Sequence, residues 1–515
     1  MARQINLEIS SDMNYHHKTT SPKTIVIIGA GMGGLATAAR LAKRGHKVSI
    51  YEATENVGGK CRTETINGFK FDIGPSLLTL PAVYRDLFLK TGKRIEHLLK
   101  LNPVDPSFTY LFDDGTKIIF PNLSHQGTVS AITDSLGPDA GKQWHQLLLR
   151  AEAMWDASRE DFIENEISSI SNFLTRKSLF KDLRTISPFK SLRNLFQQYS
   201  DNPYLQKIID RYATYTGSDP REVPAVLLTI AFVEEAFGAW HISGGIGNLA
   251  NELSKRCHEL GVDIYTKSRV VEIRTEGKYA KGIKLSDGRN IDADLVVANA
   301  DATLVYNTLL KKNRFTRTPR RNLKRATPSL SGFSIQLGLR GTSDLGHHTV
   351  IFPKNYDAEF DAIFKEKRPV KEPAIYICNP QDPTMTPSQE HESWFILVNA
   401  PRHEPNSGFD WSDKEFSKKY ADQIIQQIED RGIKIRDRIE VMKIRTPADF
   451  ETEVLAPSGS IYGTSSNGAR SAFFRAKNRS PIKNLYCVGG SAHPGGGLPL
   501  VGISAEIVAN AIEAR

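Results

Sequence analysis

The sequence predicts an α/β fold in which a Rossmann-type dinucleotide domain is interleaved with an α+β domain. Three observations predict it. Residues 24–34 read Thr-Ile-Val-Ile-Ile-Gly-Ala-Gly-Met-Gly-Gly, a β-branched run entering a G-x-G-x-x-G turn. A second apolar run, Lys47-Val-Ser-Ile-Tyr51, ends in Glu52, about 20 residues after the glycines, where a ribose-hydroxyl acceptor belongs. Strand patterns of the same kind return at 294–298 and from Asn484, each after a long stretch of different character. A sheet rejoined after insertions reads that way.

Each glycine of the first motif has its own task. Gly29 allows the tight turn, Gly31 lets the backbone approach a pyrophosphate, and Gly34 lets helix and strand pack closely. The following helix offers free N–H groups and a positive dipole end. Gly58-Gly59-Lys60-Cys61-Arg62 then follows the acidic strand end directly. Paired glycines let the chain cross close to a cofactor, and an arginine beside them binds phosphate with its forked donors. This second loop resembles the extended flavin fingerprint of the amine oxidase and carotenoid desaturase superfamily. The resemblance implies FAD.

From Pro81 to Trp240 the pattern is mostly helical, with one hairpin at Phe108–Phe120 around Asp113-Asp114-Gly115. Ser243-Gly244-Gly245-Ile246-Gly247 leads into a helix, Asn248–Leu260, and three strands are expected at Asp263–Ile273, Tyr279–Leu285 and Asn290–Ala298. Alternating or β-rich runs at Leu330–Leu339, Ala374–Cys378 and Trp394–Ala400 suggest an antiparallel sheet, and a helix is expected near Asp413–Arg431. Boundaries follow: a disordered arm at 1–22, FAD-binding segments at 23–80, 242–303 and 446–515, and substrate-domain segments at 81–241 and 304–445. The first substrate segment carries the expected membrane-docking surface.

Several further blocks bear on the family. Gly68-Phe-Lys-Phe-Asp72-Ile-Gly74-Pro75-Ser76 and the closing Asn484-Leu-Tyr-Cys-Val-Gly489-Gly490…His493-Pro494-Gly495-Gly496-Gly497-Leu-Pro499 resemble phytoene-desaturase-type carotenoid desaturases. So do Arg211-Tyr-Ala-Thr-Tyr215-Thr-Gly217-Ser-Asp-Pro220 and Phe237-Gly-Ala-Trp240…Gly244-Gly245, which are similar to members that desaturate hydroxylated carotenoids. The resemblance covers about residues 22–515. It implies FAD contacts at Gly29, Ala30, Gly31, Gly33, Gly34, Glu52, Ala53, Gly58, Gly59, Lys60, Arg62, Gly74, Pro75, Ser76, Val270, Asn299, Gly489, Gly490, Pro499, Leu500 and Val501. Leu500 stands where some phytoene desaturases carry glycine, which leaves the substrate open. Pro499 suits a first helical turn, and that helix N-terminus is expected beside the flavin. His493 reads either as a redox-site residue or as a hydrogen-bonded loop histidine.

The implied reaction is FAD-dependent desaturation of an acyclic carotenoid, phytoene or a downstream intermediate. Hydroxycarotenoid 3,4-desaturation and terminal-carbon carotenoid oxidation are alternatives within the family. A flavin amine oxidase and a non-catalytic isoprenoid-binding carrier are the rivals outside it. No Ser/His/Asp triad, metal cluster or carboxylate dyad is evident, and sequence names no catalytic base. In this chemistry the cofactor carries the difficult step, with oxygen or a quinone as electron acceptor.

Composition sets the surroundings. Cys61, Cys257, Cys378 and Cys487 have neither zinc spacing nor a disulfide framework, so a reducing cytoplasm is expected. Met1–Lys23 is polar, without the apolar core of a secretory signal. The net charge of +9 permits an anionic partner, but no nucleic-acid module accompanies it. Asn172–Gln198 interleaves apolar with basic residues, broken at Ser187-Pro188. It reads either as a peripheral membrane contact, extending to 200, or as an amphipathic cover for the core. Lys311–Arg325 is basic but poor in aromatics and reads as a solvated connector.

Overall fold

The computed structural model describes residues 21–166, 184–468 and 471–514. The expected N-terminal arm, but for its last two residues, and residues 172–183 of the basic amphipathic stretch lie outside the described residues.

A five-stranded parallel sheet organises the cofactor half, in the order Leu485–Cys487, Leu295–Ala298, Thr24–Ile28, Lys47–Tyr51, Asp263–Tyr265. The first strand of the chain lies at its centre, paired with Leu295–Ala298 on one side and Lys47–Tyr51 on the other. Its two faces are both covered, so it reads as an unbroken apolar run rather than an alternation. Ile25 and Ile27 join the core formed with the helices Met32–Lys43, Gly247–Glu259 and Leu498–Glu513. Val26 and Ile28 face the opposite core, beneath a three-stranded antiparallel layer at 270–292. The parallel sheet is therefore assembled from three separated stretches of chain, as the returning strand patterns implied.

Two expected strands are each two strands in different sheets. Asp263–Tyr265 closes the parallel sheet, whereas Val270–Glu276 starts the antiparallel layer. Between them Lys267 takes a positive φ of 52°, and the N–H groups of Lys267 and Ser268 donate to Thr54 and Glu52 carbonyls at 2.8 and 2.7 Å. That turn is tied to the cofactor loop. Likewise Asn290–Asp292 and Leu295–Ala298 divide at Ala293-Asp294, whose N–H groups donate to Lys281 and Thr24 carbonyls, one in each sheet. Alternation cannot register a change of partner within a continuous extended run.

The second half is built on a seven-stranded mixed sheet, ordered 439–445, 331–340, 391–400, 375–378, 348–351, 108–111, 117–120. The hairpin around Asp113–Gly115 belongs here, joined through the parallel pairing of Thr109 with Thr349. One face carries the helix Lys414–Asp430 through Tyr420, Ile424 and Ile428. Asp413 caps that helix by accepting from the Phe416 N–H at 3.0 Å. The other face packs against a helical block containing Trp144, Leu147, Leu205 and Ile208.

Over 192–196 the described part of the basic amphipathic stretch follows the second of its two readings, an amphipathic cover for the core. Leu192, Leu195 and Phe196 are core residues, and Arg193 is ion-paired with Asp210 and Asp357 at 2.6 and 2.7 Å. Phe189, by contrast, is 93% exposed. The helix Arg317–Arg325 in the second basic cluster buries no residue, as expected of a solvated connector. No helix among the described residues is long and apolar enough to cross a membrane.

Candidate active site

The site begins where the first strand ends. Gly29 turns with φ 92°, and Gly34 follows so closely that a Cβ on it would lie 2.2 Å from the Gly29 carbonyl oxygen. The Gly58-Gly59 loop runs directly beneath. Gly58 donates to the Ala30 carbonyl at 2.8 Å and forms a parallel bridge with Gly31. A Cβ on Gly74 would lie 2.1 Å from the Lys60 carbonyl oxygen, so the third glycine loop packs on the second. Backbone stacked on backbone makes a floor with no side chains in the way.

Asn299, at the end of the neighbouring strand, explains several glycines together. A Cβ on Gly29, Gly31, Gly33 or Gly489 would approach Asn299 atoms to between 2.5 and 2.8 Å. With its amide oxygen toward the loop, Asn299 accepts from the Gly31 and Gly34 N–H groups at 3.1 and 3.2 Å, satisfying helix-terminal donors. Glu52 is equally fixed. Its two oxygens accept from the Ala30 N–H at 2.8 Å, the Thr54 N–H at 2.8 Å and the Thr54 hydroxyl at 2.9 Å.

These elements open on one cavity of about 1070 Å³. Its wall includes Gly29, Gly31, Gly33, Glu52, Ala53, Gly58, Gly59, Lys60, Arg62, Gly74, Pro75, Ser76, Val270, Asn299, Gly490, Pro499, Leu500 and Val501. Of the sequence-predicted contacts, Ala30, Gly34 and Gly489 are absent from the wall. They act underneath it: Ala30 donates to Glu52, and Gly34 and Gly489 make room for Gly29 and Asn299. The helix Leu498–Glu513 presents its first turn, with Pro499 in it, to the cavity. His493 is a hydrogen-bonded loop histidine, its Nε2 2.9 Å from the Asn165 carbonyl, and it also lines the wall. Burial lowers it to about 4, so it is neutral at physiological pH.

Of the other wall residues, Arg475, Tyr462 and Tyr376 carried no recognisable motif, whereas Ser76, Arg211 and Tyr215 stand in blocks read from the sequence. Arg475 donates to the Gly490 and Thr464 carbonyls, both at 2.7 Å, and so ties two wall loops together. Tyr462 lies against Gly496, where a Cβ would meet its ring at 2.3 Å. The Ser76 hydroxyl is 2.8 Å from the Tyr376 hydroxyl, which lies 2.8 Å from His348 Nδ1. Arg211 lies over the Phe108 ring at 4.3 Å and donates to the Tyr215 hydroxyl at 2.7 Å; that hydroxyl donates to Glu234 at 2.7 Å. The remote lobe is apolar, lined by Trp155, Ile163, Val226, Leu227, Ile230 and Val233.

The donor set fits FAD. Exposed glycine backbone suits a diphosphate, Lys60, Arg62, Arg269 and Arg475 supply positive charge, and Glu52 stands at the acidic strand end. Lys60 donates to the Ser460 carbonyl at 3.2 Å and to that of Ile461. Desolvation lowers this amine to about 8, partly opposed by Asp301. A lowered lysine penalises the fold while it is charged, below about pH 8, and the penalty fades as pH rises toward the ordinary lysine value of about 10.4. An anionic cofactor favours the charged amine, so binding takes up a proton. FAD affinity is therefore expected to weaken as pH rises above about 8, and Lys60→Met to flatten that slope. Fluorescence titration of the apoprotein checks both; a slope unchanged in the variant assigns it elsewhere.

Comparison with known proteins agrees with this geometry. The model of flavin-containing amine oxidoreductases matches residues 32–512. The chain is 30% identical over 498 residues to a 4,4'-diapolycopene oxygenase of Methylomonas sp, covering 95% of this chain and 98% of that one. It is 29% identical over 503 residues to a 4,4'-diaponeurosporene oxygenase of Staphylococcus haemolyticus, covering 96% and 98%. Among solved structures, an oxidoreductase from Methanosarcina mazei superposes with a TM-score of 0.63 at 18% identity, over 95% of this chain and 100% of that one. Putrescine oxidase bound to putrescine superposes with 0.63 at 14% identity, over 96% and 99%. These two structures speak for the fold alone. With the family model spanning nearly the whole chain and the cradle shaped for its cofactor, the protein belongs to the flavin-containing amine oxidoreductases and is an FAD-dependent oxidoreductase.

Proposed function

We propose that this enzyme oxidises an acyclic carotenoid, and that its reaction is oxidation at a terminal carbon. The observation that carries the reading is the continuity of the cavity from the glycine cradle into the apolar lobe around Ile230 and Val233. A long hydrocarbon gains by leaving water for such a lobe, whereas a small amine has no use for it. The terminal position is favoured over phytoene desaturation by the two relatives named as oxygenases of diapocarotenoids.

Bound FAD supplies the two-electron acceptor for oxidation of a C–H bond. The chain's own work is placement and exclusion. The glycine floor and Glu52 hold the cofactor, Ser76 and Tyr376 offer hydroxyls at the wall, and the apolar lobe orients the chain while excluding water. The product's oxygen atom comes from a water molecule admitted at the chain end, which gives up a proton as the C–O bond forms, and dioxygen or a membrane quinone takes up the two electrons.

The test is anaerobic mixing of the FAD-loaded enzyme with acyclic carotenoids in liposomes, followed by aerobic turnover and mass analysis. Bleaching of the flavin and a product carrying oxygen at a chain end are expected. A product with only an added double bond returns the desaturase reading. Flavin that stays oxidised with every carotenoid while an amine bleaches it promptly defeats the proposal.

The same proposal includes a cytoplasmic protein docked peripherally on the membrane, because its substrate resides there. Phe189 supports it: this exposed aromatic lies between exposed Lys190 and the cavity-lining Pro188. An aromatic beside a lysine suits a headgroup interface. Phe189→Asp is expected to lower binding to anionic liposomes about tenfold, equivalent to roughly 1.4 kcal/mol, without lowering FAD content. Sedimentation with vesicles checks this, and unchanged binding removes Phe189 from the contact.

A further inference from the structure

We propose that His347, His348 and Cys378 form a binding site for a divalent transition cation of the zinc class, seated behind the Ser76 wall of the cofactor cavity. The strand pairing creates it. His348 and Cys378 are directly opposed in the antiparallel pair His348–Ile351 and Ile375–Cys378, which places their side chains on one face. His347 immediately precedes that strand, and its carbonyl accepts from the Asn379 N–H at 2.8 Å. It is thereby held at the strand entrance, with its ring centroid 4.5 Å from that of His348.

One potential ligand atom from each residue lies within 4.8 Å of the others. Metal bonds of about 2.0–2.1 Å to nitrogen and about 2.3 Å to sulfur require ligand separations of roughly 3.3–3.7 Å in a tetrahedron. Modest side-chain rotations close that gap. The present contacts leave the ligand atoms available. Nε2 of His347 and of His348 are both buried and have no hydrogen-bond partner among the described residues. Cys378 Sγ makes a long 4.0 Å contact with the Ser76 carbonyl and interacts with the Tyr376 and Ser76 side chains, weak partners that a metal bond can replace. Two orphaned imidazole nitrogens facing a thiol are costly as they stand, and one shared cation satisfies all three.

The surroundings fit as well. His348 Nδ1 lies 2.8 Å from the Tyr376 hydroxyl. Donation from Nδ1–H to that oxygen leaves the Nε2 lone pair free and fixes the ring, as metal-binding histidines require. Tyr376 can then donate onward to Ser76 at 2.8 Å. His241, paired with Asp382 at 2.8 Å, packs its ring 5.0 Å from that of His347, which brings a carboxylate near the cation. Two imidazoles and a thiolate select zinc, cobalt or copper over magnesium or calcium. The site is independent of the carotenoid reading, since it neither contacts nor requires that substrate.

The experiment uses the full-length FAD-loaded protein, stripped with a chelator and titrated with Co²⁺ while difference absorption is recorded. One Co²⁺ per chain is expected, with tetrahedral visible bands and thiolate-to-cobalt charge transfer, displaced by Zn²⁺. Cys378→Ser and His347→Gln are expected to lose this signal, and Cys257→Ser, in a separate core, to retain it. The wild-type titration decides even where a variant folds poorly: no stoichiometric binding, or binding without a thiolate band, overturns the proposal. So does retention of the full signal in Cys378→Ser.

Discussion

Gly34→Ala is expected to yield protein that retains no FAD. The new methyl would lie 2.2 Å from the Gly29 carbonyl oxygen and 3.1 Å from the Asn299 side chain. The first of these is backbone at the tight turn, so no rotamer change relieves it. Relief requires the helix Met32–Lys43 to leave the central strand, although it is locked there with the closing helix around Leu35, Ala38, Ala505 and Val508. Ordinary overpacking costs about 1–3 kcal/mol, and a backbone collision at the hub of this core is expected at or above the top of that range. Gly59→Ala provides the contrast. Gly59 has φ 60°, and its added Cβ would approach no closer than 3.3 Å, to Gly31 Cα. The left-handed conformation then costs about 1–2 kcal/mol, so folding survives while the methyl intrudes on the cavity. Flavin-to-protein ratio and thermal unfolding of each apoprotein separate the cases. Wild-type flavin content in Gly34→Ala would show that helix and strand have room to spare.

This contrast also shows what the sequence could disclose. The G-x-G-x-x-G spacing located the turn because few other backbones need three glycines there. It did not distinguish glycines that meet the cofactor from Gly34, which permits packing, because both needs forbid a side chain. Asn299 was placed by resemblance, yet its role against the glycine N–H groups depends on the parallel pairing of Ile28 with Ala298. Arg475, Tyr462, Tyr376 and Arg211 reach the wall from four separate segments. No local spacing joins them, so only the fold makes them neighbours. The His348–Cys378 pairing escaped for the same reason: cysteine spacing detects ligands along the chain, not across a sheet. The amphipathic pattern around Leu192 was real, but an apolar stripe reads alike against a core and against lipid. Here Leu192, Leu195 and Phe196 meet the core, and the buried Arg193–Asp210 ion pair lets the basic residue stay with them.

Glu52→Ala is expected to weaken FAD binding and to loosen the protein's own loops. A ribose acceptor alone would affect only the first. In the structure both carboxylate oxygens are already engaged, one by the Ala30 N–H and the other by the N–H and hydroxyl of Thr54. The carboxylate thus joins the first glycine turn to the end of the second strand, and Glu52 lines the cavity. Removing it orphans the buried Ala30 donor at a cost of about 1–3 kcal/mol, besides the loss of any ribose contact. That cost falls on the apoprotein's loops; loss of the ribose hydrogen bond to a charged carboxylate, about 1.5–3 kcal/mol at tenfold per 1.4 kcal/mol, is what is expected to weaken FAD binding, roughly 10- to 100-fold. Glu52→Gln separates charge from geometry. Its amide has one acceptor where two backbone N–H groups need one each, so an NH2 group must face a donor. It is therefore expected to fall between wild type and Glu52→Ala in both FAD affinity and apoprotein melting temperature. Were Glu52 a ribose acceptor only, the apoproteins of both variants would melt with wild type. An unshifted melting temperature in Glu52→Ala would therefore dismiss the bracing role and leave only the cofactor contact.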